Sequence, residues 1–324
     1  MGATLAALLH RDGHDLEVTA RGEHLAAIRS TGIQLGGAWG EHTARVEANG
    51  VVSRVPELAV VATKAQDAAA ALAASSAALT GVPVVIVQNG LASFTSAEAA
   101  TARSGVVGGL ALFAASYLDS GRVSVTAPGH LYLGVQAPGN AGDDAALAVA
   151  ITVLGAVLTA QSTENFRGAQ WTKLVINQIN ALPAITGLSA QTVIAHRGMR
   201  RIMVGSMRET VRAGFAAGIR FETLQGLSHP ILRLFERAPF ELAQLIPLAM
   251  ARRMGATPNP GSTLQSIRRG QLTEVDHLNG AVVSAAAQTG TDAAINARLV
   301  GLVHEVERTG RFLSPTELLA RLTR

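Results

Sequence analysis

The chain has 324 residues, 48% of them apolar and 15% charged, with a formal net charge of +4 and no cysteine. This composition excludes a disordered chain and leaves ample core for two domains. Without cysteine there are no disulfides, no thiolate nucleophile and no cysteine-held zinc. The basic residues are scattered and only two Tyr and two Trp are available for stacking on bases, so nucleic acid is not expected as a partner. The opening MGATLAALLHRDGH carries no export signal, and no stretch reaches the ~20 apolar residues of a membrane span. A soluble, cytoplasmic protein is expected.

In chain order, residues 2–11 read as a helix, and DLEVTA (15–20) as a short β-branched run. LAVVAT (58–63) and VPVVIVQ (82–88) repeat that pattern, with alanine-rich helical stretches at 66–79 and 93–103. The alternation predicts an α/β domain with a parallel sheet and right-handed crossovers. Strand-like pieces follow at 105–113, 122–127 and 131–135, then a helix over 143–156. From about residue 166 the apolar period is helical throughout, over 170–187, 190–218, 238–254, 262–269, 273–289, 293–308 and 315–323. The last segment opens with Ser314-Pro315-Thr316-Glu317, a capping box with proline at the first helical position. The expected plan is a Rossmann-like domain over 1–165 and an all-helical domain over 166–324. Dehydrogenases commonly share that plan, which by itself assigns no function.

A dinucleotide-binding fold opens with a strand and G-x-G-x-x-G. Met1-Gly2-Ala3-Thr4-Leu5 matches only the tail of that motif, with Gly2 as its third glycine and TLAALLHRDGH as the helix behind it. The domain is therefore expected to be N-terminally incomplete, through a start assigned too late. GGAWG (36–40) has the wrong spacing and reads as a turn. After the 15–20 run, Arg21 stands where an acidic residue would hold a ribose 2′-hydroxyl; an arginine there suits a 2′-phosphate, hence NADP. A solvated loop arginine is the plainer alternative. Lys64, Asn89 and Gly129 also fall at predicted strand ends, where open α/β sheets bind ligands.

Of 27 basic residues only Lys64 and Lys173 are lysines. An amine can be tuned to give up its proton, whereas a guanidinium cannot. Lys173 lies in WTKLVINQINALPAITG (171–187) with Asn177 and Asn180 four and seven residues on, within roughly 60° on one face of a continuous helix. Downstream, GSTLQSIRRGQLTEVDHLNG (261–280) places Ser262 before a short helix and Glu274 at the start of another. Such a set can bind and polarise a small keto acid, the ammonium donating to a carbonyl oxygen while the carboxylate tunes it or holds a substrate hydroxyl. A buried polar network with a capping glutamate is the alternative. The histidines are isolated or, at His10 and His14, separated by Gly13, so no metal site is expected.

The stretches ARGEHLAAIRSTGI, ATKAQD, VQNGL, GHLYLG, WTKLVIN, STLQSIRRGQLTEVDHLNG and INARLVGLVHEVE run in order across nearly the whole chain. Together they resemble the ketopantoate reductase (2-dehydropantoate 2-reductase) family, NADPH-dependent enzymes of pantothenate biosynthesis on the coenzyme A pathway. The resemblance implies Lys173 as catalytic acid and Glu274 as its partner. It implies Asn177, Asn180 and Ser262 as substrate ligands and Asn89 at the meeting of nicotinamide and substrate. Gly2, Arg21 and Lys64, with Asn89, would hold the cofactor NADPH. The implied reaction is reduction of 2-dehydropantoate to pantoate by a monomer or homodimer, with no nucleic-acid or membrane partner. Two features depart from the family pattern: Ala181 stands four residues after Asn177, where a second asparagine is usual, and segment 219–260 is long. Both bear on the substrate side. They leave open another small 2-keto acid, or a catalytically idle NADP-binding protein.

Overall fold

The β-branched runs of the first half fold as buried strands, and alanine-rich segments as the helices that cover them. In the computed structural model, residues 1–91, 94, 105–136, 138–255 and 257–322 are described. They divide into two units, Met1–Gln88 with Ala92–Phe166, and Asn89–Leu91 with Arg167–Arg324. The first unit carries β1 (Glu17–Thr19), β2 (Ile33–Gly37), β3 (His42–Ala44), β4 (Glu47–Asn49), β5 (Ala59–Val61), β6 (Val84–Val87) and β7 (Val106–Ala111). These are followed by β8 (Ala114–Asp119), β9 (Arg122–Ala127), β10 (Leu131–Gly134) and β11 (Ala160–Ser162). Its principal helices are α1 (Gly2–Arg11), α2 (Gly22–Thr31), α3 (Ala65–Ala74) and α4 (Ala141–Gly155).

The main sheet has the order β11-β10-β7-β6-β5. Strands β5, β6 and β7 pair in parallel, β10 runs antiparallel to β7, and β11 is parallel to β10. Val84, Val85 and Ile86 are wholly buried, as a central strand covered on both faces requires. A second sheet, β3-β2-β9-β8, takes the run at 122–127, and β1 pairs in parallel with β4 in a separate ribbon. The short strands β3 and β4, His42-Thr43-Ala44 and Glu47-Ala48-Asn49, lack any apolar run, and the sequence reading did not find them. In GGAWG, Gly36 and Gly37 close β2 and the turn falls on Ala38–Trp39. The helix expected over 93–103 lies outside the described residues apart from Phe94.

The second unit is helical: α5 (Phe166–Asn177), α6 (Ala181–Thr186), α7 (Arg197–Ala216), α8 (His229–Arg237), α9 (Leu245–Met254), α10 (Gly261–Arg268), α11 (Val275–Thr289), α12 (Ala294–Thr309) and α13 (Pro315–Leu322). They surround a core that includes Leu174, Leu182, Val193, Met207, Val282 and Val303, all wholly buried. None of the described helices is long and apolar enough to cross a membrane.

Two helices read as continuous are broken. The segment 170–187 splits at 178–180, where Gln178, Ile179 and Asn180 donate to the carbonyls three residues back. Pro183 explains the split, because it has no N–H for the Ile179 carbonyl and its ring crowds that oxygen. The segment 190–218 splits at His196, whose Nδ1 accepts the Met199 N–H at 3.3 Å and so caps α7. The capping box at α13 forms reciprocally: Glu317 N–H donates to Ser314 Oγ at 3.3 Å, and Ser314 N–H donates to Glu317 Oε2 at 2.8 Å. Helix α8, inside the long segment 219–260, went unassigned from sequence although Pro230 marks its first turn.

Candidate active site

The last turns of α5 carry Lys173 and Asn177 one turn apart, so both project from one face. They are 7% and 9% exposed. Burial pushes the Lys173 ammonium down to about 8, against the upward pull of the Glu274 charge. Asn177 Nδ2 is buried and has no hydrogen-bond partner among the described residues. An unmet buried donor costs about 1–3 kcal/mol.

Asn180 does not continue that face. The break before Pro183 puts it at the head of α6, half-buried, against the start of α10. There Gly261 has φ +71°, and a Cβ added to it would lie 2.5 Å from Asn180 Oδ1, so only glycine fits. Ser262 follows directly. It sits inside the first turn of α10 and not ahead of the helix, and it is exposed.

Glu274 is the N-cap residue of α11. Its Oε2 accepts from Asn89 Nδ2 at 3.3 Å. The Asn89–Leu91 segment belongs to this helical unit. Gln170 Nε2 from α5 donates to the Gly90 carbonyl at 3.4 Å. Gly90, at φ +85°, lies so near the His277 carbonyl that a Cβ would come within 2.5 Å of it. Asn89 is thereby tied to both the helix of Lys173 and the helix of Glu274.

Beneath these groups lies a polar network the sequence reading missed. Asn279 Nδ2 donates to Gln178 Oε1 at 2.7 Å and to Asn296 Oδ1 at 2.9 Å. Ser206 Oγ lies 2.9 Å from both of those oxygens, and Asn296 Nδ2 donates to Glu209 Oε2 at 2.7 Å. All five residues are buried, and they join α7, α11 and α12 to the end of α5. Lys173, Asn177 and Glu274 are not among these five residues. Gln178, Asn279 and Asn296 were visible as polar residues in apolar helices. Their mutual contact was not, because it joins positions as far as 101 apart in sequence.

In the first unit, Gly2, Arg21 and Lys64 each stand at a helix N-terminus. Gly2 begins α1 beside Ala62, and a Cβ there would make only an ordinary contact with Ala62 Cβ at 3.5 Å, so the packing does not itself require glycine. Arg21 and Lys64 are the N-cap residues of α2 and α3, both with extended backbone. The Lys64 carbonyl accepts from Gln88 Nε2 at 3.4 Å. Ala62 sets Gly2 near Lys64, whereas Arg21 follows β1, whose strand partner is β4 and not β5.

A Rossmann-like sheet unit and a helical unit that buries a lysine near a carboxylate form a plan that two-domain dehydrogenases share. Residues 1–138 match the family described as "Ketopantoate reductase PanE/ApbA", and residues 165–307 match "Ketopantoate reductase PanE/ApbA C terminal". A 2-dehydropantoate 2-reductase of Pyrococcus horikoshii is 25% identical over 311 residues, 96% of this chain and 95% of the relative. The crystal structure of a PanE/ApbA family ketopantoate reductase from Ralstonia eutropha JMP134 gives a TM-score of 0.77 at 25% identity, over 94% of each chain. D-mandelate dehydrogenase, solved with NADH and anilino(oxo)acetate, gives 0.80 at 18% identity over 95% of this chain and 96% of that one, and shares the fold. This chain belongs to the ketopantoate reductase family of nicotinamide-dependent oxidoreductases.

Proposed function

We propose that the protein reduces 2-dehydropantoate to pantoate with NADPH, Lys173 serving as general acid. The observation that carries this reading is a buried ammonium lowered to about 8, one turn from a buried amide donor with no partner among the described residues. An acid with that pKa is well matched to protonating an alkoxide near neutral pH.

The residues of the first unit suit the cofactor. Three helix N-termini, headed by Gly2, Arg21 and Lys64, offer backbone N–H groups and cationic side chains to phosphate. Arg21 supports NADPH over NADH, as a partner for the 2′-phosphate. Bound NADPH supplies the hydride to C2 of the ketone. Lys173 delivers a proton to the carbonyl oxygen as charge grows there, leaving a neutral amine that solvent reprotonates. Glu274 opposes the effect of burial and keeps Lys173 in its donor form. Asn89 steadies the Glu274 carboxylate, and Asn177 Nδ2 donates to an oxygen of the keto acid. Asn180 and Ser262 complete the substrate side.

The test is NADPH oxidation by the purified chain with 2-dehydropantoate and a panel of other 2-keto acids, phenylglyoxylate among them, ranked by kcat/KM. The shifted Asn180 is the reason for the panel. Preference for another member would keep the chemistry and change the substrate. NADPH binding with no turnover of any member would make this an idle NADP-binding protein.

A further inference from the structure

The residues on both sides of Glu274 are held by a cluster that the proposed mechanism does not use. On α12, the ring of the partly exposed His304 faces two carboxylates: Nδ1 is 2.7 Å from Glu307 Oε2, and Nε2 is 3.0 Å from Asp276 Oδ1. A neutral imidazole has one N–H and one lone pair, so it can satisfy only one of these acceptors. Carboxylates on both nitrogens call for both protons, and the geometry selects the imidazolium. The other oxygen of Glu307 accepts the Thr273 N–H at 2.7 Å, and Thr273 Oγ1 accepts the Val275 N–H at 3.2 Å. Residues 273, 275 and 276 are thus each tied down, with Glu274 between them. We propose that His304, as a doubly donating imidazolium, is a positioning residue that fixes Glu274 against Asn89.

The proposal rests on the reading of Glu274 as the partner of Lys173. The groups that act on the ring are Glu307 from its own helix and Asp276 from α11, and together they raise its pKa from the usual histidine value, against burial. Glu305, the neighbouring acid on α12, is engaged by Arg321. Below the raised pKa both bonds form. As pH rises through it, one nitrogen turns a lone pair toward a carboxylate oxygen, and the strap from α12 to α11 opens on that side. An ion pair this exposed contributes little to stability, so its effect should appear in kinetics.

Three variants of the full chain test this: Glu274→Gln, His304→Phe and His304→Arg. Misplacing a catalytic group by a fraction of an ångström has large kinetic effects, so His304→Phe is expected to lower kcat about tenfold. The KM for NADPH and the thermal midpoint should stay unchanged, and the part of the kcat–pH profile due to His304 should vanish. His304→Arg, whose fork spans two carboxylates, should recover part of the loss. Nitrogen NMR of the wild-type ring near neutral pH should show both nitrogens protonated. A neutral ring, or wild-type kcat and pH profile in His304→Phe while Glu274→Gln is inactive, overturns the proposal alone. Wild-type turnover in Glu274→Gln overturns the role of Glu274 and this proposal with it.

Discussion

Lys173, itself 7% exposed, carries a positive charge into the interior, and burial answers by weakening its hold on the proton. Ketone reduction needs that proton, so kcat in the reductive direction should fall as pH rises through about 8, measured by NADPH oxidation across a pH series. Stability should move the opposite way. The folded pKa lies below the unfolded one, so between about 8 and 10.5 the unfolded chain binds more protons and stability rises with pH. Lys173→Ala should lower kcat by ~10²-fold or more, and Lys173→Arg should rescue little, because a guanidinium does not release its proton. Turnover near wild type in either variant would remove the lysine from the mechanism. Lys173 was legible in the sequence because it is one of two lysines among 27 basic residues. His304 and the unmet amide of Asn177 were not, since each is defined by what stands, or fails to stand, opposite it in space.

The junction of α6 with α10 is where periodicity misleads. Apolar residues at 171, 174, 175, 179, 182 and 185 keep a helical period straight through the break, so the pattern reports one helix. Pro183 was the contrary signal, and it settles where Asn180 lies. Gly261→Ala would force a Cβ to within 2.5 Å of Asn180 Oδ1 at a φ that alanine avoids. The variant should lose ~1 kcal/mol or more and raise the KM for the keto acid while leaving that for NADPH unchanged, by melting and steady-state kinetics. At the head of α2, Arg21→Ala should raise the KM for NADPH by about tenfold or more and leave NADH nearly untouched, a charge-assisted contact being worth ~1.5–3 kcal/mol. Equal losses with both cofactors would show that Arg21 acts elsewhere. Among the strands, β5, β6 and β7 were legible as apolar runs. The strands β3 and β4 were not, because pairing and not composition makes them strands.

Each unit has its own apolar cluster, one built on the sheets and one on the helices. The switch from alternating to helical periodicity near residue 166 made that plan readable, while the antiparallel β10 within the main sheet and the second sheet depend on pairings no periodicity encodes. The buried amide network ties the helical unit together. Asn296→Leu would strip one donor from Glu209 and an acceptor from Asn279, so it should destabilise by ~2 kcal/mol or more in thermal melts. Lys173 weighs on the same fold from the other direction. A shift from 10.5 to about 8 corresponds to roughly 3 kcal/mol borne by the folded state while the amine is charged. Lys173→Met fills the same volume without that charge, and should melt higher than wild type while failing to oxidise NADPH. Heat resistance and turnover would then pull this one codon in opposite directions. A mutant library ranked only by survival at high temperature should discard the lysine early, and the best survivors would be folded, soluble on heating and chemically inert.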